Sequence, residues 1–313
     1  MKVINALVGF LYDLLIFLVS KVVGVVKFFG PKAKLFVEGQ KQIPKVLENI
    51  KTWKKQNPNK EIIWFHCASL GEFEQGRPVL EAFKTQNPAF GVLLTFFSPS
   101  GYEIRKNYPL ADFIGYLPID TMSNAKHFVQ IVNPKIAVFV KYEFWPNIIK
   151  ALKSNGTKLI GISVILRESQ SFFKPWGGYF REVLISFEHL FVQNKITSDL
   201  LQSIDYKNFT VAGDTRFDRV LDNFSKIQPI AGIADFVKDK KVFVIGSAWT
   251  EDMAVLIPFA LDNPQIKFII APHELDETQI NTWAKELNAI KYSDFKDKTL
   301  PEAQVLIIDS IGL

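Results

Sequence analysis

Three short segments carry side chains suited to acid–base or anion chemistry, and each follows an apolar run. After Glu61–His66 the chain passes through Ser69-Leu-Gly-Glu72, two small residues and one carboxylate, and a helical pattern begins at once. A partly buried carboxyl group there has the right chemistry for a general base. The plainer reading is a first-turn acid that favours the helix dipole. In Lys141-Tyr-Glu-Phe-Trp-Pro146-Asn147, Glu143 again closes an apolar run, and Pro146 suits the first turn of a helix. The plainer reading of Glu143 is a helix cap or an ion pair. In Gly213-Asp-Thr-Arg-Phe-Asp218, Arg216 offers a planar donor fork to a phosphate or carboxylate. Alternatively it pairs with Asp214 or Asp218. Two later segments, Gly246-Ser247-Ala-Trp-Thr-Glu251 and Ala271-Pro272-His273-Glu274, place small residues or a helix start after a strand. Free backbone N–H groups at such a start attract anions.

The elements that must position these groups alternate. Strands are expected at Glu61–His66, Gly91–Phe96, Phe113–Tyr116, Ile136–Val140, Lys158–Val164, His189–Gln193 and Phe209–Ala212. Helices fall between them, including Glu74–Thr85, Ser123–Val132, Pro146–Ser154 and Ile196–Ser203. This spacing implies an α/β fold with a parallel, doubly wound sheet covered on both faces. Ligands of such sheets bind at the carboxyl ends of the strands, where Glu72 and Glu143 both fall. The more polar stretch Leu221–Asp239 reads as a connection, followed by strands Lys241–Gly246, Ile266–Ala271 and Val305–Asp309 with helices Glu251–Leu261 and Glu274–Leu287. The expected organisation is a helix over 1–30, a first domain over 31–220 and a second over 221–313. The last strand lacks a following helix, so the second domain reads as incomplete.

Several classes are excluded or disfavoured. No G-x-G-x-x-G follows a strand, and Gly71–Gly76 has Walker A glycine spacing without the Lys-Ser/Thr that reaches phosphate and magnesium. His66, His127, His189 and His273 show no metal-ligand spacing. A net charge of +5 over 313 residues does not single out nucleic acid. The single cysteine, Cys67, allows no intrachain disulfide and reads as a small buried residue. Val3 to Gly30 is mostly apolar, with Lys2, Asp13, Lys21 and Lys27 within an arc of roughly 120° on a helix of about 100° per residue. It lies in a membrane interface or spans the bilayer with a polar stripe; the plainer alternative is a core helix of a soluble domain. Lys21, Lys27, Lys32 and Lys34 on the C-terminal side predict that the rest of the chain faces the cytoplasm.

Taken in order, these segments resemble the 3-deoxy-D-manno-octulosonic acid (Kdo) transferases of lipopolysaccharide synthesis. The matching pieces are the membrane-seeking N-terminus, Ser69–Glu72, Ser98–Gly101, Tyr142–Asn147, Gly213–Asp218, Gly246–Asp252, Ala271–Glu274 and Asp309–Gly312. The resemblance implies a GT-B fold, two Rossmann-like domains facing a cleft. It also implies an inverting, metal-independent transfer of Kdo from CMP-Kdo to a lipid A precursor, lipid IVA, with no separate cofactor. On it, Glu72 is the general base, and Glu143 and Arg216 stabilise the transition state. Ser69 and Gly71 fall on the acceptor side. Ser247, Pro272, His273, Ile311, Gly312 and Leu313 fall on the donor side. The chain departs from the family at Arg216, where many relatives carry lysine, and at Pro272, where many carry arginine. The family's later glycine-rich segment would lie beyond Leu313, so the sequence reads as C-terminally truncated. The alternatives are another GT-B enzyme with a different nucleotide sugar, or an inactive membrane-associated binding protein.

Overall fold

A computed structural model describes residues 2–224, 229–230, 232–295 and 302–310. The chain divides into two compact units, Met1–Asn223 and Phe224–Leu313.

The first unit opens with α1 (Lys2–Val26), a short 3-10 turn and α2 (Pro31–Gln56). Strand and helix then alternate: β1 (Ile62–Cys67), α3 (Leu70–Gln86), β2 (Gly91–Phe96), α4 (Pro99–Arg105), β3 (Phe113–Tyr116), α5 (Met122–Val132), β4 (Ile136–Val140) and α6 (Pro146–Ser154). The alternation continues through β5 (Lys158–Val164), α7 (Gly178–Leu184), β6 (His189–Val192), α8 (Lys195–Gln202), β7 (Phe209–Val211) and α9 (Arg216–Phe224). All seven strands are parallel, in the order β3-β2-β1-β4-β5-β6-β7. β1 is buried along its whole length, and its side chains divide between two cores. Ile62 and Trp64 pack on one face of the sheet, and Ile63, Phe65 and Cys67 on the other. A strand buried on both faces is an unbroken apolar run, which is why the sequence marked it.

The strand order reverses between β1 and β4, and such a switch point leaves a crevice beyond the carboxyl ends. α3 runs close over it because Gly76 has no side chain. A Cβ there would lie 2.8 Å from Val140 Cγ2 and 3.4 Å from Cys67 Sγ. Each expected strand is present with ends within one or two residues, and the two-residue strand Ile290–Lys291 is an addition to them. The helices α4, α7 and α9 have no individually expected counterpart. Arg216, in the segment that follows β7, is the first residue of α9, and the stretch expected to be connection includes the short α10 (Ile233–Val237).

α1 packs against α7 and α2. Gly9 lies against the Tyr179 ring, where a Cβ would come within 2.6 Å. Tyr12 donates to Asp120 Oδ2 at 2.7 Å, Asn147 Nδ2 donates to Asp13 Oδ1 at 2.8 Å, and Asn5 Nδ2 donates to Glu182 Oε1 at 3.1 Å. The expected polar stripe is therefore split. Asp13 meets the domain, whereas Lys21 and Lys27 lie over the rings of Phe17 and Phe28. Leu7, Phe10, Leu11, Leu15, Leu18 and Val22 are exposed, and the helix is long and apolar enough to cross a membrane by length and composition.

The second unit contains α10, β8 (Lys241–Ala248), α11 (Thr250–Asp262), β9 (Ile266–Pro272), α12 (Glu277–Glu286), β10 (Ile290–Lys291) and β11 (Val305–Ile307). Its strands are parallel in the order β10-β11-β9-β8. Phe268, Ile270, Trp283, Val305 and Ile307 form its core.

Candidate active site

Glu72 is the third residue of α3 and is 6% exposed. Its Oε2 accepts the Ser69 N–H at 3.0 Å and the Ser69 hydroxyl at 3.4 Å. Glu72 is thus the first-turn acid of the plainer reading, here closing a capping box with Ser69, and it also stands at the crevice. Burial raises the Glu72 pKa, against the Lys141 charge and the Ser69 and Ala68 N–H groups, which lower it. Gly71 has open space where a Cβ would stand, so the backbone beside Glu72 is approachable.

Glu143 follows β4, the neighbour of β1, and accepts the Trp145 indole N–H at 3.1 Å. It does not cap α6. Asp120 does so from outside the segment, accepting the N–H groups of Asn147 at 3.0 Å and Ile148 at 2.8 Å. Burial first, then the Glu72 charge, push the Glu143 pKa up to about 7. Lys141 faces both carboxylates from a left-handed backbone conformation, φ 66°. Its charge lowers both pKa values and so opposes the effect of burial at each.

This arrangement costs stability in a defined pH window. A carboxyl group whose folded pKa lies above its unfolded value disfavours folding once the unfolded chain has ionised. For Glu143 the penalty begins near pH 4.5, grows until about pH 7 and is constant above that. Glu143→Gln keeps an acceptor for Trp145. It is expected to leave the melting temperature unchanged at pH 4 and raise it on the order of 5 °C at pH 8. Thermal melts across that range read the difference. Equal effects at both ends would mean that Glu143 is not held protonated.

Arg216 sits at the far side of the sheet order, yet its loop reaches α3. Asp214 Oδ1 accepts the Gln75 side-chain amide at 2.9 Å and the Arg216 backbone N–H at 3.0 Å. Asp214 Oδ2 accepts Arg216 Nε at 2.8 Å and Nη2 at 2.5 Å. The expected ion-pair alternative is therefore what the structure contains, with Asp214 rather than Asp218. Although burial opposes it, hydrogen bonds from Arg216 and Gln75 hold the Asp214 pKa down at about 2. The outer edge of the guanidinium remains open, its side chain 65% exposed.

In the second unit, Ser247, Pro272 and His273 are brought together. Ala248 pairs with Pro272 across a bulge, and Ser247, at φ 61°, lies 2.6 Å from His273 Nδ1 through its hydroxyl. Trp249 stacks on the His273 ring at 3.7 Å between centroids. The Trp249 N–H is accepted by Asp252 at 2.9 Å. That one donor of the helix start is not free for an anion. Ile311, Gly312 and Leu313 lie outside the described residues.

Residues 43–219, more than half of the chain, match the family model described as 3-Deoxy-D-manno-octulosonic-acid transferase (kdotransferase). The chain belongs to the Kdo transferase family. Within this transferase-family chain the matched span includes Glu72, Glu143 and Arg216. A bifunctional glycosyltransferase/methyltransferase of Fusobacterium nucleatum is 25% identical over 267 residues, 82% of this chain and 41% of that protein. A 3-deoxy-D-manno-octulosonic acid transferase of Rickettsia bellii is 24% identical over 252 residues, 79% of this chain and 58% of that protein. The chain thus spans about half the length of these curated relatives. Among solved structures, a UDP-GlcNAc 2-epimerase of Neisseria meningitidis superimposes with a TM-score of 0.56 at 14% identity, covering 80% of this chain and 73% of that one. A UDP-GlcNAc 2-epimerase of Methanocaldococcus jannaschii gives 0.54 at 14% identity, with coverage of 80% and 74%. At that identity the likeness is one of fold, and the fold is of the GT-B type.

Sequence reasoning missed Lys141, Asp120 and Gln75. No local pattern marks them: a left-handed lysine has no composition cue, and Asp120 and Gln75 act through residues 27 and 139 positions away.

Proposed function

We propose that this chain carries the acceptor side and part of the donor side of a glycosyltransferase that moves Kdo from CMP-Kdo to a lipid A precursor. The observation that supports this most is the pair of carboxylates, Glu72 and Glu143, at the ends of adjacent strands flanking the switch point, within the span matched to the family. The acceptor oxygen attacks the anomeric carbon of Kdo as its proton passes to Glu72. The bond from that carbon to the phosphate oxygen breaks, and CMP leaves with the electron pair. Glu143, protonated, donates a hydrogen bond into the site and adds no second negative charge near an anionic sugar. Arg216 meets the charge developing on the departing phosphate with the open edge of its guanidinium. Ser247, Pro272 and His273 belong to the donor side. The transfer is proposed to need no divalent cation, which excess EDTA checks.

The acceptor is a lipid, and α1 supports a membrane location. Tyr12, Asp13 and Asn5 are bonded to the domain, and large apolar side chains point away from it. These contacts span residues 5 to 13, about 12 Å of helix. A free bilayer-spanning pose would strip that length of its polar partners or draw Asp120 and Glu182 into hydrocarbon, at high cost. The helix therefore lies along the cytoplasmic face of the inner membrane.

The test is direct. The full polypeptide is incubated with CMP-Kdo and a lipid A precursor in anionic vesicles, and the lipid is weighed by mass spectrometry. A product heavier by one or more Kdo units, with CMP released, is expected. Product with a UDP-sugar but none with CMP-Kdo would overturn the donor assignment.

A further inference from the structure

We propose that Gln75 is a positioning residue that fastens the Asp214–Arg216 pair to the helix bearing Glu72, so that base and arginine are set as one unit. The role assigned to Arg216 rests on the reaction proposed above. Gln75 lies three residues after Glu72 on α3 and is fully buried. Its amide nitrogen donates to Asp214 Oδ1. With the Arg216 N–H on the same oxygen and two guanidinium nitrogens on the other, both Asp214 oxygens are occupied. The Gln75 backbone carbonyl accepts the Thr215 hydroxyl at 2.6 Å. Thr215 in turn lies 2.7 Å from the hydroxyl of Ser163, a residue held at φ 49° at the end of β5. Gln193 donates to the Ser163 carbonyl at 3.0 Å and ties in β6. The 213–216 loop is thus held by α3 and by the end of β5, itself tied to the end of β6, and Gln75 supplies the side-chain hydrogen bond from α3 to Asp214.

A glutamine serves this role for a reason of charge. The amide donates to Asp214 without adding a second cation that would compete with Arg216. A glutamate at the same place would set two carboxylates against each other unless it carried a proton. Its Oε1 is buried with no partner, so the residue is not optimised for packing stability alone, and losing that oxygen offsets the lost donor.

Two variants separate positioning from packing. Gln75→Met keeps the volume and removes the donor. It is expected to melt within a few degrees of wild type and to lower kcat about 10-fold. Gln75→Glu is expected to be poor at pH 8 and to recover toward wild type, as a ratio of the two measured at each pH, as acidification restores a donor facing Asp214. A packing role would give neither the loss in the methionine variant nor a pH-dependent ratio. Hydrogen exchange at Arg216 Nε, read by NMR on protein labelled at arginine, tests the latch without any reaction, and several-fold faster exchange in Gln75→Met is expected. Faster exchange in the variant together with an inactive wild type would defeat the reaction and leave the latch standing. Unchanged exchange, or wild-type kcat in Gln75→Met, would overturn the proposal while the reaction stood.

Discussion

Glu72→Gln is expected to lower transfer by about 10³-fold or more while CMP binding stays within twofold of wild type. The substitution is close to silent for the fold. Glutamine retains an oxygen to accept the Ser69 N–H that now bonds at 3.0 Å, and it removes a buried carboxylate whose pKa burial has raised. Packing of α3 depends on Gly76 and the apolar residues beneath it rather than on the charge at position 72. A fall in activity can therefore be assigned to the loss of a proton acceptor. Initial rates with both substrates saturating, alongside calorimetric titration with CMP, measure the two quantities. Transfer within tenfold of wild type would remove Glu72 from the role of base.

Asp120→Ala is expected to lower the melting temperature by about 10 °C and to release α1 from the domain. Asp120 is 1% exposed and accepts three donors, the Tyr12 hydroxyl and the N–H groups of Asn147 and Ile148. Alanine strands all three, and each buried unsatisfied group costs about 1–3 kcal/mol. At roughly 2–4 °C per kcal/mol for a unit of this size, the sum exceeds what most single substitutions cause. Asp120→Asn retains one acceptor and should fall between the two. Release of α1 is read by limited proteolysis between α1 and α2 in detergent. An unchanged digestion pattern with an unchanged melt would show that the Tyr12 contact does not hold the helix.

The parallel strands were legible because they are buried on both faces, which writes an unbroken apolar run into the chain. Val92–Phe96 and Val138–Val140 are of this kind. Glu72 and Glu143 were legible because the turn after such a run is short and polar. Their relation was not. Adjacency of β1 and β4 follows from strand order, which no local window contains. The same holds for Asp214. Sequence offered Arg216 an acid two residues away, and that pair formed, but the partner that fixes its place is Gln75, far off in the chain. Helix α7 was expected only as one of the helices between strands, without bounds, because it is short and its periodicity is brief. The direction in which α1 presents its polar stripe was hidden for another reason. A stripe facing water and a stripe facing a protein partner have the same composition.

The docking of α1 also sets an order of events during synthesis. Its partners Asp120, Asn147 and Glu182 lie 108, 134 and 177 residues after the groups they hold. At about 5–20 residues per second, the ribosome delivers Glu182 roughly 10–30 s after Asn5. For that interval α1 exposes its apolar face with Tyr12 and Asp13 unmatched, and a nascent chain in that state needs either the lipid surface or a chaperone. On the membrane location proposed above, attachment to the bilayer begins before the domain that orients the helix exists, and folding finishes there by closing those long-range bonds.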